Sequence, residues 1–222
     1  MCSRYSLVCI DNLCGRFRVV DPSVGFHPHY SIVPGSTNPV IVAHERAEAK
    51  MMQWGLVPHW ARDIQTLHRP INARAESLEE KPMFRNLLQT KRCLVPASGF
   101  FEWKEQWGKH IPFYFHKPED PVFAFAGLCD IWQNPAGVIL TTYTIITTRA
   151  NSVVTPVHHR MPVILRQKDE IRWVSRAPIP REEMSRILLA APAEGLEMYP
   201  VSDQVNDPNT DDERVIVPIR GL

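Results

Sequence analysis

Cys2 directly follows Met1. A small residue at position two permits removal of the initiator methionine, which leaves this cysteine with an amine and a thiol on adjacent carbons. The amine titrates near about 8 and the thiol near about 8.5, so both are partly unprotonated at neutral pH. Such a pair condenses with an aldehyde to an imine and closes a five-membered thiazolidine through sulfur. It can equally attack an amide, as N-terminal-nucleophile hydrolases do. Taken alone, Cys2 also fits an incidental residue at a frayed chain end.

Three internal segments carry groups that can serve such chemistry. Segment 70–76 contains Asn72, a donor and an acceptor in one side chain, and Arg74, a planar fork suited to phosphate. In segment 93–104, alternation puts Glu102 on the face of Phe100 among apolar neighbours. Burial there would raise its pKa toward that of a general acid or base; a solvated glutamate paired with Lys104 or Arg92 is the alternative. Segment 157–162 sets His158, His159 and Arg160 ahead of a strand, a proton shuttle beside a phosphate grip, although loop histidines are commonly inert. Trp54, Trp60 and Trp103 offer faces for base stacking, while tryptophans in a strand-rich sequence mostly serve the core.

Short strands must hold these groups. Runs rich in Val, Ile, Thr, Phe and Tyr, bounded by Pro, Gly, Asn or Asp, predict strands over 40–43, 50–56, 92–96, 99–104, 112–115, 122–128, 138–147, 162–165 and 215–219. The run 138–147 is nearly continuous in β-formers and reads as a central strand. Helices are predicted over 11–18, 81–90 and 179–191, the last two carrying Pro82 and Pro180 near their starts. The acidic stretch 203–213 reads as a loop. These elements predict one α+β domain over 1–222, with a mainly antiparallel, barrel-like β core and a few peripheral helices.

Composition narrows the function. Hydrophobic residues at 44% and charged residues at 22% fit a soluble globular protein. A net charge of +1 excludes a general polycation, so nucleic-acid binding would need a local basic groove. No signal-peptide core or stretch of about 20 apolar residues is present, so a cytoplasmic protein with no membrane partner is expected. The five cysteines include no Cys-x-x-Cys pair, which fits a reducing compartment. His27 and His29 lack cysteines at zinc-ligand spacing, and neither a metal nor a cofactor is expected.

Taken together, the ordered motifs resemble the SOS response-associated peptidase (SRAP) family of abasic-site processing proteins. They are Met1-Cys2-Ser3-Arg4; Tyr30-Ser31-Ile32-Val33-Pro34-Gly35; Trp54-Gly55-Leu56-Val57-Pro58-His59-Trp60; Ile71-Asn72-Ala73-Arg74-Ala75-Glu76; Pro82-Met83-Phe84-Arg85; and Arg92-Cys93-Leu94-Val95-Pro96 with Gly99-Phe100-Phe101-Glu102-Trp103-Lys104. Phe125-Ala126-Gly127-Leu128, Thr144-Ile145-Ile146-Thr147-Thr148, His158-His159-Arg160-Met161-Pro162-Val163-Ile164-Leu165 and Tyr199-Pro200-Val201-Ser202 with Val205-Asn206 complete the series. The resemblance implies the SRAP fold and a monomer that traps abasic sites in single-stranded DNA through a thiazolidine on Cys2. It implies that Glu102 opens the sugar, Asn72 orients the terminal residue, and His158 assists imine chemistry and strand cleavage. It further implies that Arg4, Arg74 and Arg160 hold phosphates while Ser31, Pro34, Trp60 and Trp103 face DNA. Self-removal of Met1 would use the same nucleophile, and the protein would gather on the nucleoid during DNA damage.

The chain departs from the family pattern at Ser3, Ser31, Val33 and His159, where glycine, asparagine, alanine and an acidic residue are usual. A second histidine at 159 is expected to lower the pKa of His158. Cys14-Gly15-Arg16 mimics the family's starting motif, but Cys14 has no free amine and reads as helix packing. Two rival functions stay open: an N-terminal-nucleophile cysteine hydrolase, and a non-catalytic single-stranded-DNA binding module.

Overall fold

A computed structural model describes residues 2–11, 13–19, 25–43, 46–189, 191 and 193–219. Its strands are β1 (Tyr5–Leu7), β2 (His29–Ile32), β3 (Thr37–Ala43), β4 (Ala47–Trp54), β5 (Asn72–Arg74), β6 (Arg92–Ala97), β7 (Gly99–Gln106), β8 (Lys109–His116), β9 (Phe123–Gln133), β10 (Ile139–Arg149), β11 (Arg160–Pro162) and β12 (Glu197–Pro200). The helices are α1 (Leu13–Phe17), α2 (Pro82–Thr90), α3 (Gln167–Val174) and α4 (Arg181–Ile187).

Five strands close a barrel in the order β10-β4-β3-β6-β9, with β9 returning to β10. Closure removes the open edge that would otherwise invite pairing with another chain. The barrel is mixed: β10 runs antiparallel to β9 and parallel to β4 and β5. Since β10 also pairs with β11, it is the central strand that the continuous β-former run predicts. Gly127 on β9 has no substitute of larger size. A Cβ there would lie 2.8 Å from Cys93 Sγ and 3.2 Å from the Thr144 carbonyl oxygen, inside the closed wall.

A second sheet, β12-β8-β7-β1-β2, packs against this barrel. The seam is aromatic: Tyr5 of β1 meets Trp54 and Phe125 at ring-centroid distances of 5.2 and 5.8 Å, and Phe100 of β7 meets Phe125 at 6.1 Å. Each such edge-on pair contributes about 0.5–1.5 kcal/mol beyond the area it buries. Tyr5 and Tyr143 of β10 also join hydroxyl to hydroxyl at 2.7 Å, with Asn38 donating to Tyr143 at 3.2 Å, so the seam's buried polar groups are partnered.

Arg92 is buried and its guanidinium caps two helices. It donates to the carbonyls of Leu88 (2.7 Å), Gln89 (2.9 Å), Trp173 (2.7 Å) and Ala177 (3.0 Å), and to that of Ser175. A fixed cation at two helix C-termini satisfies their orphan carbonyls and complements their dipoles. Arg92 is therefore no partner of Glu102.

Some expected elements change. Segment 215–219 is not a strand: a 3₁₀ turn spans Glu213–Ile216, capped by Asp212 accepting from the Arg214 amide, and Val215 plugs a small apolar cluster. Only Pro218 bridges, to Val201. The strand expected at 162–165 shifts back to β11, leaving Ile164 a single bridge to Phe125. The helix expected at 179–191 ends at Ile187, and Ala190 lies outside the described residues. The stretch 203–213 is a loop interrupted by a 3₁₀ turn, Asp203–Asn206. Cys14 sits in α1 and packs against the main core, as its reading as a helix residue requires.

Candidate active site

The site forms where the two sheets meet. Cys2 and Glu102 come from the sheet of β1 and β7, while Asn72 opens β5 on the barrel and His158 precedes β11. Strand pairing places the first of these. The Tyr5↔Phe100 register, continued by the Phe101 amide donating to the Arg4 carbonyl at 3.0 Å, runs the chain start antiparallel along β7 toward Glu102. This pairing is possible because Gly99 lets the Tyr114 ring lie over the strand: a Cβ there would sit 2.3 Å from that ring. Tyr114 in turn meets the Ser6 hydroxyl at 2.8 Å.

Cys2 is fully buried, its thiol 3.8 Å from the Arg4 carbonyl oxygen. Burial pushes the thiol pKa far up, and the nearby charge of Glu102 adds to the effect. A thiol so placed stays protonated and needs a base before it can attack. Asn72 anchors the residue through its amide, with Nδ2 donating to the Cys2 carbonyl at 2.7 Å.

Glu102 is 2% exposed, and burial raises its pKa from 4.5 to about 7. At neutral pH such a carboxyl exists in both forms and can deliver a proton at one step and accept one at the next. His158 Nδ1 lies 3.9 Å from Glu102 Oε1. The same nitrogen is 2.9 Å from the Arg160 amide and 3.1 Å from the Arg160 carbonyl, so it accepts when neutral and donates when protonated. Burial lowers the His158 pKa, the hydrogen bond with the Arg160 backbone works against this, and the charges of His159 and Arg160 lower it further. The neutral ring, with its proton on Nε2, is thus the form favoured at pH 7. The His159 ring stacks on that of His158 with centroids 4.4 Å apart.

The expected DNA-facing residues separate into two groups. Arg4 donates to the buried Ser31 hydroxyl at 2.8 Å, and Arg160 grips both oxygens of Glu76 at 2.6 and 2.9 Å and the Thr147 carbonyl at 2.7 Å. Arg160 is thereby engaged and buried beside His158, whereas Arg4 makes this one bond to a neutral hydroxyl and its Nε is buried without a hydrogen-bond partner among the described residues. Pro34, Trp60 and Arg74 are exposed, Trp60 by 55%, and no hydrogen bond or ring contact ties them to Cys2. Trp103 points away from the face of Glu102 and donates from Nε1 to Asn206 Oδ1 at 2.8 Å. Trp54, by contrast, is core, donating to the Ile71 carbonyl just before Asn72.

Two supporting residues escape sequence reasoning. Glu76 holds Arg160. Asp211 accepts from the Tyr30 and Ser31 amides at 2.6 and 2.8 Å and meets His29 Nδ1 at 2.7 Å, which fixes the β2 edge beneath Arg4. Both lie far along the chain from the groups they hold, so no local pattern marks them. Among the described residues no cluster of histidine, cysteine and carboxylate side chains is arranged to hold a metal ion. No helix among them is long and apolar enough to cross a membrane.

The family model described as SOS response associated peptidase (SRAP) matches residues 1–208. "Abasic site processing protein YoqW" of Bacillus subtilis (strain 168) is 36% identical, over 97% of this chain and 99% of its own length. "Abasic site processing protein HMCES" of Gallus gallus is 30% identical, over 87% of this chain and 67% of its own length. A crystal structure of a Bacteroides thetaiotaomicron protein superposes with a TM-score of 0.89 at 28% identity, covering 98% of this chain and all of that one.

Proposed function

This chain belongs to the SOS response associated peptidase (SRAP) family, and from that premise we propose that it captures abasic sites in single-stranded DNA as a covalent adduct on Cys2 once Met1 has been removed. The observation that carries the reading is the buried cluster itself: a cysteine beside the chain start, anchored by Asn72 and faced by a carboxyl that titrates near 7.

The order of steps follows from the protonation states. Protonated Glu102 delivers its proton to the ring oxygen of the abasic deoxyribose, and the sugar opens to its aldehyde as the anomeric hydroxyl releases its proton to solvent. The free amine of Cys2 adds to that carbonyl carbon and, with loss of one water, forms an imine. The thiol is too strongly held to its proton to lead, so it acts second. Glu102, now a carboxylate, takes the thiol proton as sulfur bonds to the imine carbon, and the imine nitrogen gains a proton. One aldehyde, one amine and one thiol thereby become one thiazolidine and one water.

Neutral His158 can instead draw a proton from the carbon next to the imine, expelling the 3′ phosphate by β-elimination. Its lowered pKa supports this lyase side activity. Exposed Arg74 and Arg4, which pairs with no carboxylate among the described residues, are the readiest phosphate contacts, whereas Arg160, held by Glu76, acts chiefly by positioning. Removal of Met1 by attack of the Cys2 thiol on its own preceding peptide bond would draw on the same carboxyl. We read the protein as a monomer acting on cytoplasmic DNA.

The test is an oligonucleotide with one abasic site. A heat-stable, gel-shifted band that vanishes with Cys2→Ala supports the reading, and blocking Met1 removal should abolish it. No band points to a hydrolase, and a complex that dissociates in salt points to a binding module. Cys2→Ser keeps the amine and should stop at the borohydride-trappable imine.

A further inference from the structure

The hairpin that carries Glu102 ends in a residue that its backbone does not favour. Between Gln106 and Lys109, which pair across β7 and β8, stand Trp107 with φ 51° and Gly108 with φ 73°. Two consecutive positive φ angles make this a type I′ turn, whose first central position ordinarily takes asparagine, aspartate or glycine. A tryptophan there is strained, and it is also 89% exposed, with no ring packed on it among the described residues. The indole contributes neither to the turn nor to the core.

The two faces of the hairpin differ in charge. Directly opposed residues in an antiparallel pair project to the same side, and alternate residues share a face. The face of Glu102 therefore continues outward through Lys104, opposite Ile111, and then Gln106, opposite Lys109. Neither lysine forms an ion pair among the described residues. On the other face Glu105 lies opposite His110, so acid and potential base offset one another. Two uncompensated cations thus lead from Glu102 to the exposed indole, on the catalytic side alone.

We propose that this hairpin is a binding arm for the single-stranded DNA flanking the lesion, in which Lys104 and Lys109 contact phosphates and Trp107 stacks on a base. The inference rests on the reading of Cys2 and Glu102 as the abasic-site centre. Five residues of extended strand put the tip about 16 Å from Glu102. At about 3.4 Å per stacked nucleotide the base involved lies up to about five nucleotides from the lesion, nearer if the strand is drawn out.

The experiment measures the second-order rate of crosslinking to oligonucleotides with one abasic site and flanks of one to eight nucleotides on either side. The wild-type rate should climb as one flank lengthens to about five nucleotides and then level off. Trp107→Asn suits the turn, so it folds; it should match the wild type on the shortest flank and fall about tenfold below it on the long one. Trp107→Phe should keep most of the rate that the long flank adds. Lys104→Gln with Lys109→Gln should reduce the salt slope by about 0.7 for each phosphate left without its lysine. Equal rates for Trp107→Asn and wild type at every flank length would overturn the arm and leave the centre intact. Absence of any crosslink with the wild type would instead overturn the reading on which it rests.

Discussion

Asn72 donates from Nδ2 to the Cys2 carbonyl at 2.7 Å, while its Oδ1 is buried without a hydrogen-bond partner among the described residues. A buried amide oxygen left unpaired costs free energy, about 1–3 kcal/mol by the usual range. Its position on the side chain that anchors Cys2 suits it to accept from the amine that Met1 removal would free. Asn72→Ala should therefore slow crosslinking by about 10- to 100-fold, the cost of misplacing a reacting group, while stability changes by about 1 kcal/mol or less. Competition by a free aminothiol for the aldehyde checks this: the variant should be outcompeted at lower concentration than the wild type.

Glu102 gives a prediction with a definite sign. Its folded-state pKa of about 7 exceeds the ordinary 4.5. The folded chain thus binds this proton more tightly than the unfolded chain does. The resulting stability is complete below about pH 4.5 and is lost as pH rises through 7, a difference on the order of 3 kcal/mol. Glu102→Gln should be more heat-stable than the wild type at pH 8 by several degrees and no more stable near pH 5. Crosslinking by that variant should fall by at least about 100-fold. Unchanged stability across this range would show that the carboxyl titrates normally.

His159→Asp replaces a group that lowers the His158 pKa with one that raises it. The neutral base should then be lost at a higher pH, so lyase activity at pH 6 should fall relative to that at pH 8. Identical pH profiles for the two proteins would show that the stacked His159 ring has no electrostatic influence.

Glu76→Gln removes the charge that pairs with Arg160, whose side chain is 9% exposed against 47% for that of Glu76. The pair is half open to water, so the loss of stability should be about 2 kcal/mol. Since the Arg160 amide holds His158 Nδ1, the variant should also shift the pH profile of strand cleavage, which a purely structural defect would not move. Arg160→Lys should show the same shift, because lysine cannot grip both carboxylate oxygens.

Much of this site is legible in the sequence where local periodicity carries it. Alternation along 99–104 puts Glu102 with Phe100 on the buried face, and its burial and raised pKa follow. The central place of β10 follows from its unbroken β-formers. Residues whose partners lie far along the chain are not legible. Arg160 reads as a phosphate grip because nothing nearby reveals Glu76 as its partner. Val215 and Ile219 read as a strand because a period of two also fits a capped turn with one buried plug. α3 is missed because Glu170 breaks the apolar stripe: it is buried, and Arg16 engages it through two hydrogen bonds of 2.7 Å. Closure of the barrel by the parallel β10–β4 pairing has no signature in either strand's own residues.

The division of the four central side chains between two sheets makes the proposed capture sensitive to shear. Cys2 and Glu102 travel with β1 and β7, Asn72 and His158 with the barrel, and the aromatic seam between the sheets sets their mutual alignment. A slip of one sheet by less than one residue's rise would separate Cys2 from Asn72 while leaving every strand intact. The proposed capture would thus gauge the fit between the layers: Tyr5→Phe, which deletes the hydroxyl bridge to Tyr143, should lower the temperature of half-maximal crosslinking more than that of half-unfolding.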